Sequence, residues 1–268
     1  MQFKDDINPY KKIFGDIYRA IFQELANKIL WDLNPESRRS AKKFLKLKDS
    51  QKGKKAVMMF NGPSLLKTNF SLLGDVFTMG LNKINLITEE LGFSPSIIIA
   101  FDILLNRQNA DFLKNSEKFL KIINYHSLKD LNKTAEDLIY LYYFDDNSFN
   151  YNPARVLSNQ GSTPFIAFQI AYFMGFQEIA IIGADHNFPD IKPLAIVKNE
   201  EEDKFHFHKD YHKKGESNQY PDKIKLDMIF RDVGLAFEEK GRKIYNATEG
   251  GKLEIFERIS LEEFLRKP

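Results

Sequence analysis

The sequence predicts an α/β domain with a mainly parallel sheet that is covered by helices on both faces. From Ala56 onward, segments of strand character alternate with segments of helix character, as in doubly wound folds. The runs Ile97–Ala100 and Ile179–Ile182 are apolar throughout, which indicates strands buried on both faces. The apolar run Ala56–Phe60 breaks at a short polar turn and then continues as a helix, a pattern typical of the first strand of such a fold.

The domain spans residues 51–268. For residues 1–50, which precede it, the sequence predicts a helical extension. Two adjacent rows of apolar residues recur at every fourth position and make a broad apolar face. The rows are Ile13, Ile17, Ile21, Leu25 and Ile29, and Phe14, Tyr18, Phe22, Ala26 and Leu30. We expect this face to pack within the protein; a second subunit and a membrane surface are the alternatives. A basic helix around Ser37–Leu47 then leads into the domain.

The domain itself is predicted to contain seven strands and five helices. The predicted strands are Ala56–Phe60, Val76–Gly80, Ser96–Phe101, Phe119–Asn124, Leu138–Tyr143, Glu178–Gly183 and Lys243–Asn246. The predicted helices are Lys83–Leu91, Gln108–Asn115, Pro164–Met174, Lys223–Lys240 and Leu261–Leu265.

A long segment at about residues 186–221 interrupts this alternation. It contains a charge run, Lys198–Lys204, and follows a predicted strand that ends in Gly183-Ala184-Asp185. A connection of this length in a compact domain is usually a lid or binding loop, or is disordered. We expect a lid that begins at the carboxyl edge of the sheet.

Composition narrows the class of protein. With 268 residues, 43% of them hydrophobic, the chain can bury a full core of one domain plus extensions. The absence of cysteine excludes disulfides, thiolate metal sites and a cysteine nucleophile. Residues 1–6 lack the features of a signal peptide, and no apolar stretch approaches the roughly 20 residues that span a bilayer. We therefore expect a cytoplasmic protein.

Charge is distributed unevenly along the chain. Residues 1–55 hold 14 Lys and Arg against 7 Asp and Glu, a net of +7, although the whole chain carries only +2. The basic residues concentrate at Arg38, Arg39, Lys42, Lys43, Lys46, Lys48, Lys52, Lys54 and Lys55. A solvated face is one interpretation; contact with anionic lipid or nucleic acid is the other. We expect residues 1–55 to make peripheral contact with the inner membrane face, and we expect no nucleic-acid partner.

Polar residues follow several predicted strands, at the edge where open α/β sheets bind ligands. They are Asn61, Asn82, Asp102, Asp185 and His186, with Ser162 and Thr163 at a helix start. The turn Asn61-Gly62-Pro63-Ser64 offers backbone N–H groups that suit a phosphate or carboxylate. We expect Gly62 to adopt a backbone conformation closed to other residues. A capped helix without a ligand is the alternative, and the turn matches neither the dinucleotide nor the P-loop fingerprint.

The predicted lid is rich in histidine. His206, His208 and His212 lie within it, beside Asp210 and Tyr211. Histidine exchanges protons near neutrality, so a general base is the favoured interpretation. Metal ligands and solvated loop residues are the alternatives. The spacing His-x-His-x3-His is not a strong zinc signature, and we predict no metal ligands.

Several segments resemble known families. Three of them are similar to the bacterial α-2,3/2,8-sialyltransferases of the Campylobacter type: Asn61–Leu65, Met79–Asn82 and Met174–Asp185. Two more, Tyr245–Gly251 and His206–Tyr211, are typical of a related bacterial group that shares a domain of that fold. That group includes the motility accessory factors of flagellin glycosylation and the archaeal 6-hydroxymethylpterin diphosphokinase. The resemblance covers roughly residues 53–265 and leaves out the N-terminal helices.

This resemblance implies a Rossmann-like fold of the glycosyltransferase-A variant, with a nucleotide in the edge crevice. In the sialyltransferases, the matching turn and asparagine hold a cytidine monophosphate (CMP) donor. The expected nucleotide site comprises Asn61, Gly62, Pro63, Ser64, Asn82, Asp102, Ser162, Thr163, His186 and Tyr211. The sequence departs from the family at Asp102, where the family has Asn, and at Ser162-Thr163-Pro164, where it has Thr-Ser-Gly.

The family's lid carries a Tyr-x-x-His whose histidine is the general base. The nearest equivalent here is Phe205-His206-Phe207-His208, so His206 is the first candidate base, His208 the second and His212 the third. Asp185 is a further catalytic candidate, and we expect His186 to touch phosphate or to hold the lid.

The resemblance therefore implies transfer of a sialic-acid-like sugar from a CMP-activated donor to a surface-glycan acceptor, such as lipopolysaccharide or another lipid-linked glycan. No metal or other cofactor is expected for this reaction. One alternative is a Mg²⁺-dependent pyrophosphoryl transfer to a pterin, with Asp102 and Asp185 as metal ligands. A second alternative is a non-catalytic module that binds glycan or a partner, and a homo-oligomer is left open.

Overall fold

Strands that lie side by side in parallel form the centre of the computed structural model. The structure describes residues 9–146, 148–154, 156–188 and 195–267, with side chains from residue 21 onward except that of residue 89. The expectations for residues 1–6, and for the lid at residues 189–194, lie outside the described residues. The strands are β1 (Lys55–Met59), β2 (Phe77–Leu81), β3 (Ile97–Ala100), β4 (Leu120–Asn124), β5 (Leu138–Leu141), β6 (Tyr143–Asp145), β7 (Leu157–Asn159), β8 (Glu178–Ile182), β9 (Ile196–Lys198), β10 (Ser217–Gln219), β11 (Lys243–Asn246) and β12 (Glu257–Arg258).

Helices connect most of these strands. They are α1 (Pro9–Leu33), α2 (Pro35–Leu45), α3 (Asn85–Leu91), α4 (Ile103–Gln108), α5 (Ala110–Asn115), α6 (Ser127–Leu131), α7 (Thr163–Met174), α8 (Lys223–Glu238) and α9 (Leu261–Arg266). Two 3₁₀ helices, Pro63–Lys67 and Phe70–Leu73, follow β1. In the part of the chain with described side chains, no helix is long and apolar enough to cross a membrane.

The main sheet has eight strands within the described residues, in the order β12-β11-β8-β1-β2-β3-β4-β5. Each neighbouring pair is parallel. The chain runs outward from β1 to β5 on one side and then returns to β8 on the other side of β1. The topological switch point, where such sheets bind ligands, therefore lies between the carboxyl ends of β1 and β8. Two short pairs stand apart: β6 with β7, and the antiparallel hairpin of β9 and β10.

Successive side chains of a strand point to opposite faces of the sheet. Each face has its own core cluster, so both faces are covered. Ala56 and Met58 of β1 belong to a cluster with α7 and α8, while Val57 and Met59 belong to a cluster on the opposite face. Helix α7 is buried over nearly its whole length, which explains why its sequence is apolar all round. The mainly parallel sheet with helices on both faces is confirmed.

Most predicted elements are present, and two differ for clear reasons. The predicted helix Gln108–Asn115 is present as α5 but begins at Ala110. Gln108 ends α4, and Asn109 between the two helices has a non-helical backbone and donates to Asn85 Oδ1 at 2.8 Å. The predicted strand Leu138–Tyr143 ends at Leu141, because Tyr142 turns its side chain onto Tyr125 and the chain then joins the small sheet.

Helix α2 packs on the domain while much of α1 does not. Phe44 is fully buried and stacks on Phe173 with ring centroids 4.7 Å apart, and Ser40 Oγ accepts from the N–H of Tyr140 at 2.9 Å. On α1, by contrast, the apolar side chains Ile21, Leu25, Ile29, Leu30 and Leu33 are exposed. The predicted packing of this face within the protein is therefore not seen for these residues.

Candidate functional site

The turn after β1 meets the end of β8 at the switch point. The Asp185 carboxylate Oδ2 accepts a hydrogen bond from the Ser64 N–H at 3.1 Å and from the Ser64 hydroxyl at 2.6 Å. The N–H of Gly62 donates to the Gly183 carbonyl, and that of Leu65 donates to the Gly62 carbonyl. The N–H groups of this turn are thus used within the protein. The anion that the turn was expected to attract is the chain's own Asp185.

Gly62 is required here for a reason other than the predicted one. Its φ of −72° is open to any residue, so the expected special backbone conformation is wrong. A Cβ at this position would lie 2.0 Å from Asp185 Oδ2 and 2.6 Å from the Gly183 carbonyl oxygen. Glycine is needed because the Asp185 carboxylate and the backbone of Gly183 approach it closely.

The lid folds back over the carboxyl edge beside this turn. The Phe207 N–H donates to the Asn61 carbonyl at 2.9 Å, and the side chains of Phe207 and Tyr211 are buried in the core cluster that includes Val57. Lys83 Nζ donates to the Tyr211 carbonyl at 2.6 Å. Burial lowers the pKa of Lys83, and Glu216, 3.6 Å away, opposes this effect. These contacts hold the lid closed against β1 and β2.

Two amide oxygens under the lid lack partners. Asn61 Oδ1 and Asn82 Oδ1 are buried, and neither accepts a hydrogen bond from the described residues. Asn82 adopts a left-handed backbone conformation with φ of +49°, which asparagine tolerates better than most residues. The Asn82 side chain also faces the Tyr211 hydroxyl. Burial raises the pKa of that hydroxyl, and Asn82 opposes only part of this shift. A buried amide oxygen without a partner is costly, so both atoms mark a place for a hydrogen-bond donor.

His206 is held in place by two neighbours. Its Nδ1 lies 2.7 Å from Asp203 Oδ2, and its ring stacks on Tyr211 with centroids 4.0 Å apart. Asp203 also accepts from the N–H groups of Phe205 and His206 through Oδ1. Burial acts to raise the pKa of Asp203, but the hydrogen bond and charge of His206, the Phe205 N–H and His212 together outweigh burial, so the pKa is lowered. When the His206 ring is neutral, an ionised Asp203 places the ring proton on Nδ1 and leaves Nε2 as an acceptor.

The other lid histidines are placed differently. His208 Nδ1 accepts from the Asp210 N–H at 3.0 Å, and its Nε2 lies 3.2 Å from Glu90 Oε1, so both ring nitrogens are occupied. His212 is buried, and burial followed by the charge of His206 lowers its pKa to about 3. One ligand atom each of Asp203, His206 and His212 lies within 4.8 Å of the others, close enough to hold a metal ion.

His186 points away from the turn, towards α8. Its Nε2 lies 2.6 Å from Asp227 Oδ1, and Asp227 also pairs with Lys223 at 2.9 Å. Burial lowers the pKa of His186, while Asp227 acts in the opposite direction. The two roles expected for His186, contact with phosphate and support of the lid, stay predictions; in this structure its Nε2 is engaged by Asp227 of α8.

Three more expected residues lie at helix starts on the same edge. Asp102 Oδ1 caps α4 by accepting from the Leu105 N–H at 3.0 Å. Ser162 precedes α7 without capping it through its side chain, and Thr163 is buried at the first position of that helix. Lys225 Nζ lies 3.9 Å from the position of a Cβ on Gly161, just before this helix start. The start of α7 and Lys225 together make a local positive field.

Two cavities flank this crevice. One, of about 690 Å³, lies between α1, α2 and the end of β4, and the other, of about 330 Å³, lies beyond Asp185 at the ends of β11 and β12. The smaller one is lined by Thr68, Asn69, Ala247, Thr248, Glu249 and residues 259–262. Neither cavity is lined by Asn61 or Asn82, over which the lid lies.

Three residues of this arrangement were missed by the sequence analysis: Lys83, Asp203 and Lys225. Asp203 stands three positions before His206, a spacing that lets a carboxylate reach the imidazole within one turn of chain. That signal was present but lay inside the charge run Lys198–Lys204, where an acidic residue carries little information. Lys83 follows Asn82 directly, and only the fold of the lid reveals what it holds.

Comparison with solved structures finds one clear likeness. The MAf glycosyltransferase from Magnetospirillum magneticum AMB-1 matches with a TM-score of 0.50 and 15% sequence identity, over 85% of this chain and 39% of that protein. The chain thus spans about two fifths of the length of that neighbour. No protein-family model and no curated protein matches the sequence. The motility accessory factors are among the groups that the sequence resembles, and at this identity the likeness establishes the Rossmann-like α/β fold.

Proposed function

We propose that the chain is a glycosyltransferase that uses a nucleotide-activated sugar, with a CMP-linked sialic-acid-like sugar as the donor and a surface-glycan hydroxyl as the acceptor. The observation that carries this proposal is the Asp203–His206 pair, held in a lid that closes on Asn61. His206 has its Nδ1 paired at 2.7 Å, and its Nε2 forms no hydrogen bond or ion pair with the described residues. The fold of the neighbouring glycosyltransferase supports the same reaction class.

His206 is the proposed general base. The acceptor hydroxyl attacks the anomeric carbon of the donor sugar, the bond from that carbon to the donor phosphate breaks, and the hydroxyl proton passes to His206 Nε2. Ionised Asp203 stabilises the imidazolium that results, and the stacked Tyr211 ring fixes the plane of the imidazole. His208 is less suited to this role, because both of its nitrogens are already paired.

Asn61 and Asn82 are the proposed nucleotide contacts. Their buried amide oxygens lack partners among the described residues and would accept hydrogen bonds from the amino or hydroxyl groups of a nucleoside. The donor phosphate is assigned to the start of α7 beside Lys225 rather than to the Asn61–Ser64 turn, where Gly62 donates to Gly183 and Ser64 donates to Asp185. Phe207 and Tyr211 belong to the lid, and their side chains are buried in the core. The donor therefore enters only when the lid opens.

The magnesium-dependent alternative finds less support in the geometry. Asp185 Oδ2 is taken by Ser64, and Asp102 Oδ1 caps α4. Within the described residues, the side chains that lie close enough together to hold a metal ion are Asp203, His206 and His212 of the lid. Neither Asp102 nor Asp185 is among them. A magnesium site at the switch point would therefore have to use the other oxygen of each carboxylate, Asp185 Oδ1 and Asp102 Oδ2.

A nucleotide titration tests the proposal. CMP, cytidine diphosphate and ATP are each titrated into the chain by calorimetry, with Mg²⁺ and with a chelator. The proposal predicts that CMP binds in the presence of chelator and more tightly than ATP. Binding of ATP only with Mg²⁺ would favour pyrophosphoryl transfer, and failure of every nucleotide to bind would favour a non-catalytic module.

A further inference from the structure

We propose that Asp203, His206 and His212 form a binding site for a transition-metal ion of the zinc class within the lid. One carboxylate oxygen and one nitrogen of each imidazole lie within 4.8 Å of one another. Zinc in proteins takes imidazole nitrogen and carboxylate oxygen, and three protein ligands leave one position open. The pattern is Asp-x2-His-x5-His, whereas the sequence analysis considered the three histidines together.

The second observation is an unpaired ring nitrogen on one member of this cluster. His212 is only 4% exposed, and its Nδ1 has no hydrogen-bond partner among the described residues. Its ring stands edge to face with that of His206, with centroids 5.0 Å apart. Buried polar atoms normally find a partner, so an orphaned imidazole nitrogen beside a carboxylate and a second imidazole indicates a missing ligand. A metal ion satisfies all three side chains at once.

The surroundings already orient these ligands. Asp203 is 4% exposed at its side chain, and the N–H groups of Phe205 and His206 hold its other oxygen at 2.8 and 3.1 Å. The Tyr211 ring lies parallel to His206, at an interplanar angle of 5°. Partners of this kind fix ligand orientation in metal sites. A tetrahedral site with bonds of about 2.1 Å has its ligand atoms about 3.4 Å apart. Asp203 Oδ2 and His206 Nδ1, now 2.7 Å apart, would separate slightly, and the wider separations within the 4.8 Å cluster would close.

His208 provides the contrast within the same segment. It is two residues from His206, but its nitrogens are engaged by the Asp210 N–H and by Glu90. It therefore has no ring nitrogen to offer the cluster. The geometry selects His212 over His208, although both are histidines of one lid.

Occupation of this site has a consequence that rests on the proposed function. An ion bound to the His206 nitrogen that faces Asp203 replaces the proton there and leaves the ring's proton on Nε2. That nitrogen then no longer accepts a proton from the acceptor hydroxyl. The metal-loaded lid is thus expected to be inactive in glycosyl transfer.

The test uses the full chain, freed of metal by a chelator and then titrated with Co²⁺, whose visible absorption reports tetrahedral coordination, with Zn²⁺ as competitor. We expect one ion per chain. His212→Gln and Asp203→Asn should each weaken binding at least tenfold, since even partners outside the ligand set change metal affinity by about 10- to 100-fold. His208→Gln is the matched control and should bind like the unaltered chain.

Failure of the unaltered chain to bind Co²⁺ or Zn²⁺, or an equal loss in His208→Gln, would overturn the proposal. Each variant is first checked by circular dichroism, and Asp203→Asn gives the answer if His212→Gln does not fold. No donor or acceptor is present in this experiment. Its failure therefore leaves glycosyl transfer standing, and failure of glycosyl transfer leaves the metal site standing.

Discussion

Asp185 occupies the space that a side chain on Gly62 would need: a Cβ there would lie 2.0 Å from the Asp185 Oδ2 atom. The same carboxylate oxygen holds the hydroxyl and the N–H of Ser64. This contact joins the ends of β1 and β8 at the switch point of the sheet. It makes the Asn61–Ser64 turn a structural joint, on which the lid rests through Asn61.

Gly62→Ala is therefore expected to destabilise the chain by about 1–3 kcal/mol, the usual cost of forcing atoms into a packed site. The matched control is Gly74→Ala, because Gly74 has a helical backbone and a Cβ there meets nothing within 4 Å. The control should be neutral or slightly stabilising. Urea unfolding measures both, and equal stability of the two variants would show that the Asp185 contact is absent in solution.

Asn82→Ala is expected to weaken CMP binding by about 1–3 kcal/mol, because it removes one of the two buried amide oxygens proposed to meet the nucleotide. Calorimetry on the folded variant measures this loss. Asn115→Ala, an exposed position at the end of α5, is the control and should bind CMP as the unaltered chain does. Unchanged affinity of Asn82→Ala would remove Asn82 from the proposed site.

Stability should fall in mild acid in part because of His186. His212, whose pKa is lowered to about 3, acts in the same direction. Burial lowers the pKa of His186 below the ordinary value of about 6.5, so below pH 6.5 the unfolded chain binds a proton that the folded chain resists. The free energy of unfolding therefore decreases as pH falls through this range, by at most about 1.4 kcal/mol per pH unit for one proton. His186→Asn, which suits the left-handed backbone there, should flatten this part of the profile measured by urea unfolding. A profile as steep as that of the unaltered chain would count against the assignment.

The fold could be predicted largely from the sequence, and the reasons lie in particular strands. Apolar runs such as Ile97–Ala100 can be buried on both faces only between layers of helix, so they indicated the parallel sheet. Strand ends were predicted less well. Tyr142 leaves the sheet to pack on Tyr125, a contact between distant segments that periodicity does not report.

The candidate site was predictable as a location more than as chemistry. Parallel strands bring Asn61, Asn82 and Asp185 to one edge, as expected from their places after apolar runs. Which of them is free to meet a ligand depends on pairing in three dimensions: Asp185 takes Ser64, and Asp227 takes His186. The position of Asp203 against His206 is likewise set by how the lid folds, and a charge run gives no sign of it.

The N-terminal segment is proposed to contact anionic membrane. Ile21, Leu25 and Ile29 are exposed on α1, and Lys46 and Lys48 are exposed after α2. Arg39 and Lys43 are less available, because both donate to the Ala135 carbonyl. Arg39 also pairs with Glu36, and Lys43 pairs with Glu136. The chain should sediment with anionic vesicles at low salt and not with neutral ones. The double variant Lys46→Glu and Lys48→Glu should bind these vesicles roughly 30-fold or more weakly, at about 1 kcal/mol for each cation lost. If the chain does not sediment with anionic vesicles, the membrane proposal is wrong, and the apolar face of α1 is left with a role in contacts between protein surfaces.

The most direct test of glycosyl transfer is the turnover of folded His206→Ala, with a CMP-linked sialic-acid-like donor at saturation and a glycan acceptor present. Because His206 is the proposed base, we expect kcat to fall by about 10²- to 10⁴-fold, the usual contribution of general-base catalysis. His208→Gln, whose parent side chain is fully paired, should retain most of the activity. A loss of less than about tenfold in His206→Ala, or an equal loss in both variants, would contradict the account.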